Sequence, residues 1–204
     1  MAYRIEANQN NCYPGTTCLI NKFGITDEKK LSELEAQITL ARTVQLLESP
    51  LSDTFDFEHY KAIHRFLFND LYDWAGKLRT TNMSKKGTSF CSVSELETSC
   101  NNCFNYLLDN KCFVDLKRDD FIEAITDFYC TTNILHPFRE GNGRTQRIFI
   151  TQLIRHNGYD FDFADIDIDE LMIGTIKAAN GITDLLKDLF NQAISDSTIQ
   201  LNMI

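Results

Sequence analysis

The sequence lacks the features that mark membrane and secreted proteins. None of its 204 residues falls in a long uncharged apolar run, whereas a membrane-spanning helix needs about 20 such residues. The segment from Met1 to Glu6 has neither the apolar stretch nor the small-residue cleavage site of a secretory signal. Hydrophobic residues make up 43% and charged residues 24% of the chain, as in ordinary soluble proteins. We therefore expect a folded cytoplasmic protein without a membrane partner.

Positive charge is also scarce. Twenty lysines and arginines stand against 29 aspartates and glutamates, so that the formal net charge is -9 at pH 7. The overall field of such a protein repels nucleic acid, and no Lys/Arg-rich stretch offsets it. We therefore expect no nucleic-acid partner, and a phosphate-bearing ligand would have to be held by local groups together with a metal cation.

The motifs of several common site classes are absent. Among the seven cysteines, Cys100 and Cys103 form one CxxC pair without a second pair, whereas a closed zinc site needs four ligands, so we interpret the cysteines as free thiols. The sequence has neither the GxxxxGKS/T phosphate loop nor the HExxH zinc motif, and Gln146 stands where GxGxxG has its third glycine. These absences argue against the corresponding nucleotide and zinc sites.

What the sequence does have is apolar spacing of helical period along most of its length. Five helices are predicted outside the centre of the chain: over residues 27–48 and 56–70, from Val93 onward, and over residues 167–179 and 181–193. Two more flank a polar run in the centre. The first should end near Leu135, because Pro137 disfavours helical geometry at the residue before it. The second is apolar on all sides from Ile148 to Ile154 and should lie in the middle of a bundle.

The only convincing β signal is a hairpin between Leu78 and Val93, with Ser84-Lys85-Lys86-Gly87 as its turn. A chain of this length most often forms one domain. We predict a single all-α domain over residues 1–204, with a core over about 27–193 and a hairpin over about 79–93.

The polar run extends from His136 to Arg147, between the two central helices. Gly141 and Gly143 let main-chain N–H groups converge at the start of a helix, where the helix dipole adds about half a positive charge. Such a cradle binds anions, and phosphate is its natural ligand. The alternative is a tight turn in which the glycines serve geometry only.

Other side chains of the run favour the phosphate hypothesis. Arg144 and Arg147 repel each other near the positive end of the helix dipole, and a polyanion would relieve this; each could instead pair with a carboxylate. Glu140 could bind Mg²⁺ beside phosphates, or merely complement the helix dipole. His136 could act as a general base, or only cap the preceding helix. Phe138 would fix the loop to the core.

The run resembles the HPFxxGNGRxxR signature of the Fic (filamentation induced by cAMP) family at every defined position. Tyr72 to Gly76 with the following hairpin resembles the helix and flap ahead of that signature, and Tyr13 to Thr16 resembles the start of short bacterial Fic proteins. The resemblance spans most of the chain. It implies an all-α Fic bundle of about 7–9 helices with a small β-hairpin flap and an active-site loop over residues 136–147.

The resemblance also implies an activity, the transfer of AMP from ATP to a Ser, Thr or Tyr hydroxyl of a target protein with release of pyrophosphate. His136 would deprotonate the hydroxyl, and Glu140 would bind the Mg²⁺ that bridges the α- and β-phosphates. The remaining roles would be Phe138 as the anchor of the loop, Gly141, Asn142 and Gly143 as the anion hole, Arg144 at the β-phosphate and Arg147 at the γ-phosphate.

The resemblance further predicts the partners. The flap would bind the target segment as an added strand, through Thr81, Asn82, Met83, Ser84, Lys85, Lys86 and Gly87; on spacing alone it could equally be an ordinary hairpin. The inhibitory pattern of the family, S/TxxxEG/N, does not occur in the chain. We therefore expect Arg147 to be open to ATP and inhibition to come from a small antitoxin-like partner. Association into a homo-oligomer stays open.

Two alternatives remain at this stage. The same fold could transfer another phosphate-containing group, such as phosphoryl, UMP or phosphocholine, or the protein could be an inactive nucleotide-binding regulator. Gly143 favours AMP transfer, since phosphorylating Doc relatives carry lysine there. The intact His136 argues against an inactive protein.

Overall fold

The computed structural model describes residues 4–5, 11–85 and 88–197, and this part of the chain is mainly helical. Its seven α-helices are α1 Glu28–Glu48, α2 Phe57–Phe68, α3 Val93–Asp109, α4 Arg118–Leu135, α5 Asn142–His156, α6 Ile168–Ala178 and α7 Asp184–Ala193. Short 3-10 turns lie at Lys111–Phe113 and Phe163–Asp165. Over the described ranges no helix is both long and apolar enough to cross a membrane. The predicted all-α fold class is confirmed.

Five short strands accompany the helices in the described ranges: β1 Arg4–Ile5, β2 Met83–Lys85, β3 Thr88–Ser89, β4 Tyr159–Asp160 and β5 Ser195–Asp196. β2 and β3 form the predicted hairpin, with Ser84 opposite Ser89. Two of the flap residues predicted to bind the target, Lys86 and Gly87, lie outside the described residues. β1 was not predicted; it pairs antiparallel with the other edge of β2, so that β2 is the middle strand.

Helix α5 forms the centre of the bundle and packs on α1, α2 and α4. Its apolar residues Ile148, Phe149, Ile150, Leu153 and Ile154 are each at most 3% exposed. The Phe149 ring lies 5.4 Å from the rings of both Tyr60 on α2 and Phe104 on α3. Because α5 buries apolar side chains on every side, the predicted central position of this helix is confirmed.

The polar run makes the turn between α4 and α5. α4 ends at Leu135, as predicted, and His136 takes left-handed backbone geometry with φ 45° and ψ 58°. Gly141, with φ 81°, precedes the first residue of α5. The loop over residues 136–141 therefore reverses the chain at the ends of two core helices, which gives its polar side chains a rigid support.

Candidate active site

The polar loop borders a cavity of about 410 Å³, whose walls come from four parts of the fold, one of which is α4 with Tyr129 and Asn133. The loop and the first turns of α5 contribute His136, Glu140, Gly141, Gly143, Arg144, Gln146 and Arg147. The flap contributes Lys85, Thr88 and Phe90, and one face of α6 contributes Ile168, Leu171, Met172, Thr175 and Ile176. The cavity is therefore polar and charged on one side and apolar on the other, and its size is typical of small-molecule sites.

His136 faces this cavity from the end of α4 and is 6% exposed. Its Nδ1 lies 3.3 Å from the Asn133 carbonyl oxygen, an acceptor that assigns the ring proton to Nδ1 and leaves a lone pair on Nε2. The Phe90 ring stacks on the imidazole with centroids 3.8 Å apart. Burial lowers the pKa of His136 to about 3, and the charges of Lys85 and Arg79 act in the same direction. The imidazole is neutral at pH 7 and can accept a proton.

Arg79 joins the flap to the active-site loop, a role that the sequence did not reveal. Its Nε donates to the His136 carbonyl at 2.8 Å, and its main-chain N–H donates to the Pro137 carbonyl at 2.9 Å. On the flap side, Nη1 donates to the Thr81 carbonyl at 2.9 Å and Nη2 donates to the Cys91 carbonyl. The side chain is buried, and its carbonyl partners keep the flap next to His136.

Asn142 fastens the loop to the start of α5. Its Nδ2 donates to the Phe138 carbonyl and its Oδ1 accepts the Phe138 N–H, both at 2.8 Å. The predicted contact of Asn142 with an anion would therefore come from its main-chain N–H. The neighbouring Gly141 and Gly143 line the cavity, and the Gly141 N–H donates to Oε1 of Glu140 at 2.9 Å.

Phe138, the predicted anchor of the loop, is fully buried and stacks on His64 of α2 with centroids 3.8 Å apart. Nδ1 of His64 accepts the Gly76 N–H at 2.8 Å. Nε2 therefore carries the ring proton and donates to the Glu140 carbonyl at 3.0 Å. Burial lowers the pKa of His64 to about 3. This histidine, which no motif of the sequence singled out, connects α2 to the loop as a neutral side chain.

His64 should make folding stability depend on pH. Its pKa lies near 6.5 in the unfolded chain and at about 3 in the folded protein, so below pH 6.5 the unfolded chain binds a proton that the native protein excludes. The stabilisation is complete above pH 6.5 and is lost as the pH falls toward 3, with a slope approaching about 1.4 kcal/mol per pH unit. Urea unfolding of His64→Gln between pH 7 and pH 4 should show a shallower loss than the original protein. The exposed His156→Gln is the control; equal slopes for both variants would contradict the prediction.

Arg144 and Arg147 both line the cavity but differ in their protein partners. Nη2 of Arg144 lies 2.6 Å from Oε1 of Glu35 on α1 and 3.8 Å from Oε1 of Glu140, so this residue has a carboxylate partner while it also lines the cavity. Glu35 lies 109 residues away from Arg144 in the sequence, so no local pattern indicates this pair. Arg147 forms no ion pair within the described residues. Burial lowers the pKa of Arg147, although an arginine stays charged at pH 7.

The sequence did not single out the apolar wall of the cavity, although α6 carried a signal for it. Ile168, Leu171, Met172, Thr175 and Ile176 recur at helical spacing, and Ile168 and Met172 are 60% and 43% exposed. A helix whose apolar residues stay exposed beside a charged cavity offers a surface for the apolar part of a ligand. The same spacing fits ordinary core packing, so the sequence could not separate the two.

Comparison with known proteins agrees with the geometry. The sequence model of the Fic/DOC family matches residues 54–154. A probable protein adenylyltransferase Fic of Salmonella typhimurium is 33% identical over 94% of this chain and 95% of its own length. The protein adenylyltransferase VbhT of Bartonella schoenbuchensis is 32% identical over 91% of this chain, which spans 39% of VbhT.

A solved structure has the same fold. The BepC protein of Bartonella tribocorum, crystallised with bound AMPPNP, superposes with a TM-score of 0.86 at 29% identity, over 93% of this chain and 98% of that one. By sequence, fold and the arrangement of its loop, the chain belongs to the Fic/DOC family.

Proposed function

We propose that this protein transfers AMP from ATP to a hydroxyl group of a target protein and releases pyrophosphate. One observation carries the proposal: a neutral buried histidine, a glycine-rich helix N-terminus and two arginines line the same cavity. These are the groups that nucleotidyl transfer to a hydroxyl needs. The related proteins named adenylyltransferases and the AMPPNP bound in BepC support the same assignment.

In the proposed reaction, the hydroxyl oxygen of the target forms a bond to the α-phosphorus of ATP. The bond from that phosphorus to the oxygen bridging to the β-phosphate breaks, and pyrophosphate leaves. The hydroxyl proton passes to Nε2 of His136, whose Nδ1 proton is held by the Asn133 carbonyl. The stacked ring of Phe90 keeps the imidazole in one orientation, which a proton acceptor requires.

The polar end of the cavity suits the phosphates of ATP. The main-chain N–H groups at the start of α5 and the helix dipole favour a negative charge there. Arg147, which has no carboxylate partner within the described ranges, supplies an uncompensated positive charge for the γ-phosphate. Arg144 supplies a second guanidinium for the β-phosphate. The apolar face of α6 then receives the nucleobase.

Glu140 is suited to hold Mg²⁺ together with the phosphates of the substrate. Its side chain reaches the cavity, and within the described ranges there is no cluster of three or more His, Cys, Asp or Glu side chains that could hold a metal alone. Mg²⁺ is commonly bound by one or two carboxylates plus substrate phosphates, so this donor set fits an ion that enters with ATP. When bound, the ion would neutralise negative charge on the phosphates.

Labelled ATP tests the proposed reaction. The protein is incubated with a cell lysate, Mg²⁺ and ATP labelled at either the α- or the γ-phosphate. AMP transfer predicts protein-bound label from the α position alone, and its loss when Mg²⁺ is chelated. Label from the γ position alone would show phosphorylation instead, and no label from either position would contradict AMP transfer.

Within the described part of the chain, the outer edge of β3 is not paired with another strand, and a target segment could bind there. The Phe90 N–H donates to the Met83 carbonyl at 3.1 Å, so the alternation of an antiparallel pair turns the main-chain groups of Ser89 away from β2. The main-chain groups of Ser84 that point away from β3 face β1, in which Arg4 lies opposite Ser84. Because β3 is followed by Phe90, the residue stacked on His136, an extended target segment added at Ser89 would pass close to the base.

Proline substitution tests this docking edge. Ser89→Pro removes the outward N–H of Ser89 without removing a hydrogen bond of the hairpin. Labelling of lysate proteins should fall about 10-fold or more, because the target segment loses a main-chain hydrogen bond that also sets its register on β3. Ser89→Ala, which keeps the main-chain N–H at the same position, is the matched control. Affinity for AMPPNP should stay unchanged in both variants. Equal labelling by the two variants would exclude β3 as the docking edge.

A further inference from the structure

Glu35 of α1 reaches Arg144 across the bundle. Its Oε1 accepts Nη2 of Arg144 at 2.6 Å, and its Oε2 accepts the Tyr72 hydroxyl. The Glu35 side chain is 13% exposed, so the pair is largely shielded from water. Both carboxylate oxygens therefore have a partner, which holds the carboxylate in one position.

Tyr72, the second partner of Glu35, is itself held by its neighbours. Tyr72 is buried and stacks on Trp74 with centroids 4.4 Å apart. Burial and the neighbouring Glu35 carboxylate raise the pKa of Tyr72, so that its hydroxyl stays protonated and keeps donating. The hydrogen bond thus joins Glu35 to a closely packed side chain that stays protonated at physiological pH.

Arg144 is held on further sides. Its Nη1 donates to Oγ1 of Thr39 at 3.2 Å, and Thr39 in turn donates to the Glu35 carbonyl at 2.8 Å, one helical turn away. The guanidinium also lies over the ring of Phe68, 4.7 Å from its centroid. Arg144 has many rotamers in solution, but these contacts select one.

Glu35 lies on the side of Arg144 that faces away from the cavity. Arg144 lines the cavity, whereas Glu35, Thr39 and Tyr72 do not. A carboxylate that blocked the phosphate site would have to stand in that cavity. The Arg144 guanidinium therefore remains accessible from the cavity, while Glu35 and Thr39 of α1 hold its other side.

We propose that Glu35, held by Tyr72, is a positioning residue that presents Arg144 to the β-phosphate of the nucleotide. The proposal rests on the proposed function, in which Arg144 contacts that phosphate. Glu35 itself touches neither nucleotide nor target. Its contribution is to order the arginine before the ligand arrives, which removes an entropy cost from binding.

Nucleotide affinities test the proposal. Glu35→Gln keeps the shape of the side chain but removes the charge that orders Arg144. The variant should bind AMPPNP about 10-fold more weakly and AMP with unchanged affinity, because only AMPPNP has a β-phosphate. The KM for ATP should rise by a similar factor with little change in kcat. Asp70→Asn, which breaks the ion pair between Arg42 of α1 and Asp70 in the turn after α2, is the control and should leave both affinities unchanged.

A double-mutant comparison separates positioning from general structural support. In an Arg144→Gln background, Glu35→Gln should have no further effect on AMPPNP affinity. Tyr72→Phe should weaken AMPPNP binding in the same direction, and provides the test if Glu35→Gln does not fold. Unchanged or tighter AMPPNP binding by Glu35→Gln, or an equal loss for AMP and AMPPNP, would overturn the proposal. A failure of the original protein to bind AMPPNP would instead refute the proposed function.

Discussion

Replacing His136 by alanine is expected to reduce AMP transfer at least 100-fold while the protein stays folded and still binds ATP. A positioned general base contributes about 10²- to 10⁴-fold to a rate, and His136 is the one histidine that lines the described cavity. Its ring is neutral at pH 7 because burial lowers its pKa to about 3. The variant removes the proton acceptor without touching the arginines or the glycine-rich turn that hold the phosphates.

The measurement compares protein-bound label from α-labelled ATP with AMPPNP affinity. His136→Ala should lose the label and keep its affinity within a few fold. His156→Gln is the control, because it removes an exposed imidazole that does not line the cavity; it should keep the full activity. Transfer by His136→Ala at more than a tenth of the original rate would show that another group accepts the proton.

The parts of the fold that depend on local sequence could be predicted. The end of α4 followed from Pro137, and the central position of α5 followed from its apolar run Ile148 to Ile154, since both signals lie within one element. The loop side chains of the site lie within twelve consecutive positions, so one pattern was enough to locate His136 and Arg147. Local sequence is sufficient where the local chain determines the geometry.

The supports of the site could not be predicted, because they come from distant parts of the chain. Glu35 contacts Arg144 only after α1 has packed on α5. His64 contacts the Glu140 carbonyl only after α2 has packed on α5. Arg79 satisfies main-chain carbonyls, which leave no trace in a side-chain pattern. In each case a buried polar group finds its partner through tertiary packing, and the sequence shows only an isolated polar residue on a helix or in a loop.

Replacing Gly141 by alanine is expected to have the largest effect on stability. Gly141 has φ +81°, and a Cβ there would lie 2.3 Å from two ring atoms of Phe68. The left-handed geometry costs about 1–2 kcal/mol for a residue with a side chain, and overpacking a buried ring costs about 1–3 kcal/mol more. Phe68 cannot easily move, since its ring is fully buried and lies between His64 and Arg144.

Gly143 provides the matched control for this prediction. It lies inside α5, and a Cβ there would meet only Nη1 of Arg147 at 3.3 Å, the far end of a flexible side chain. Urea unfolding should therefore show a loss of about 2–5 kcal/mol for Gly141→Ala, whereas Gly143→Ala should be as stable as the original protein or slightly more stable, because alanine favours a helix. Gly141→Ala should also bind AMPPNP more weakly, because a displaced Phe68 ring would move the guanidinium of Arg144, which lies over that ring. Equal stability of the two variants would contradict the prediction. It would show that the turn can relax around a side chain at position 141, and that the contact between Gly141 and Phe68 does not determine the position of the phosphate-binding groups.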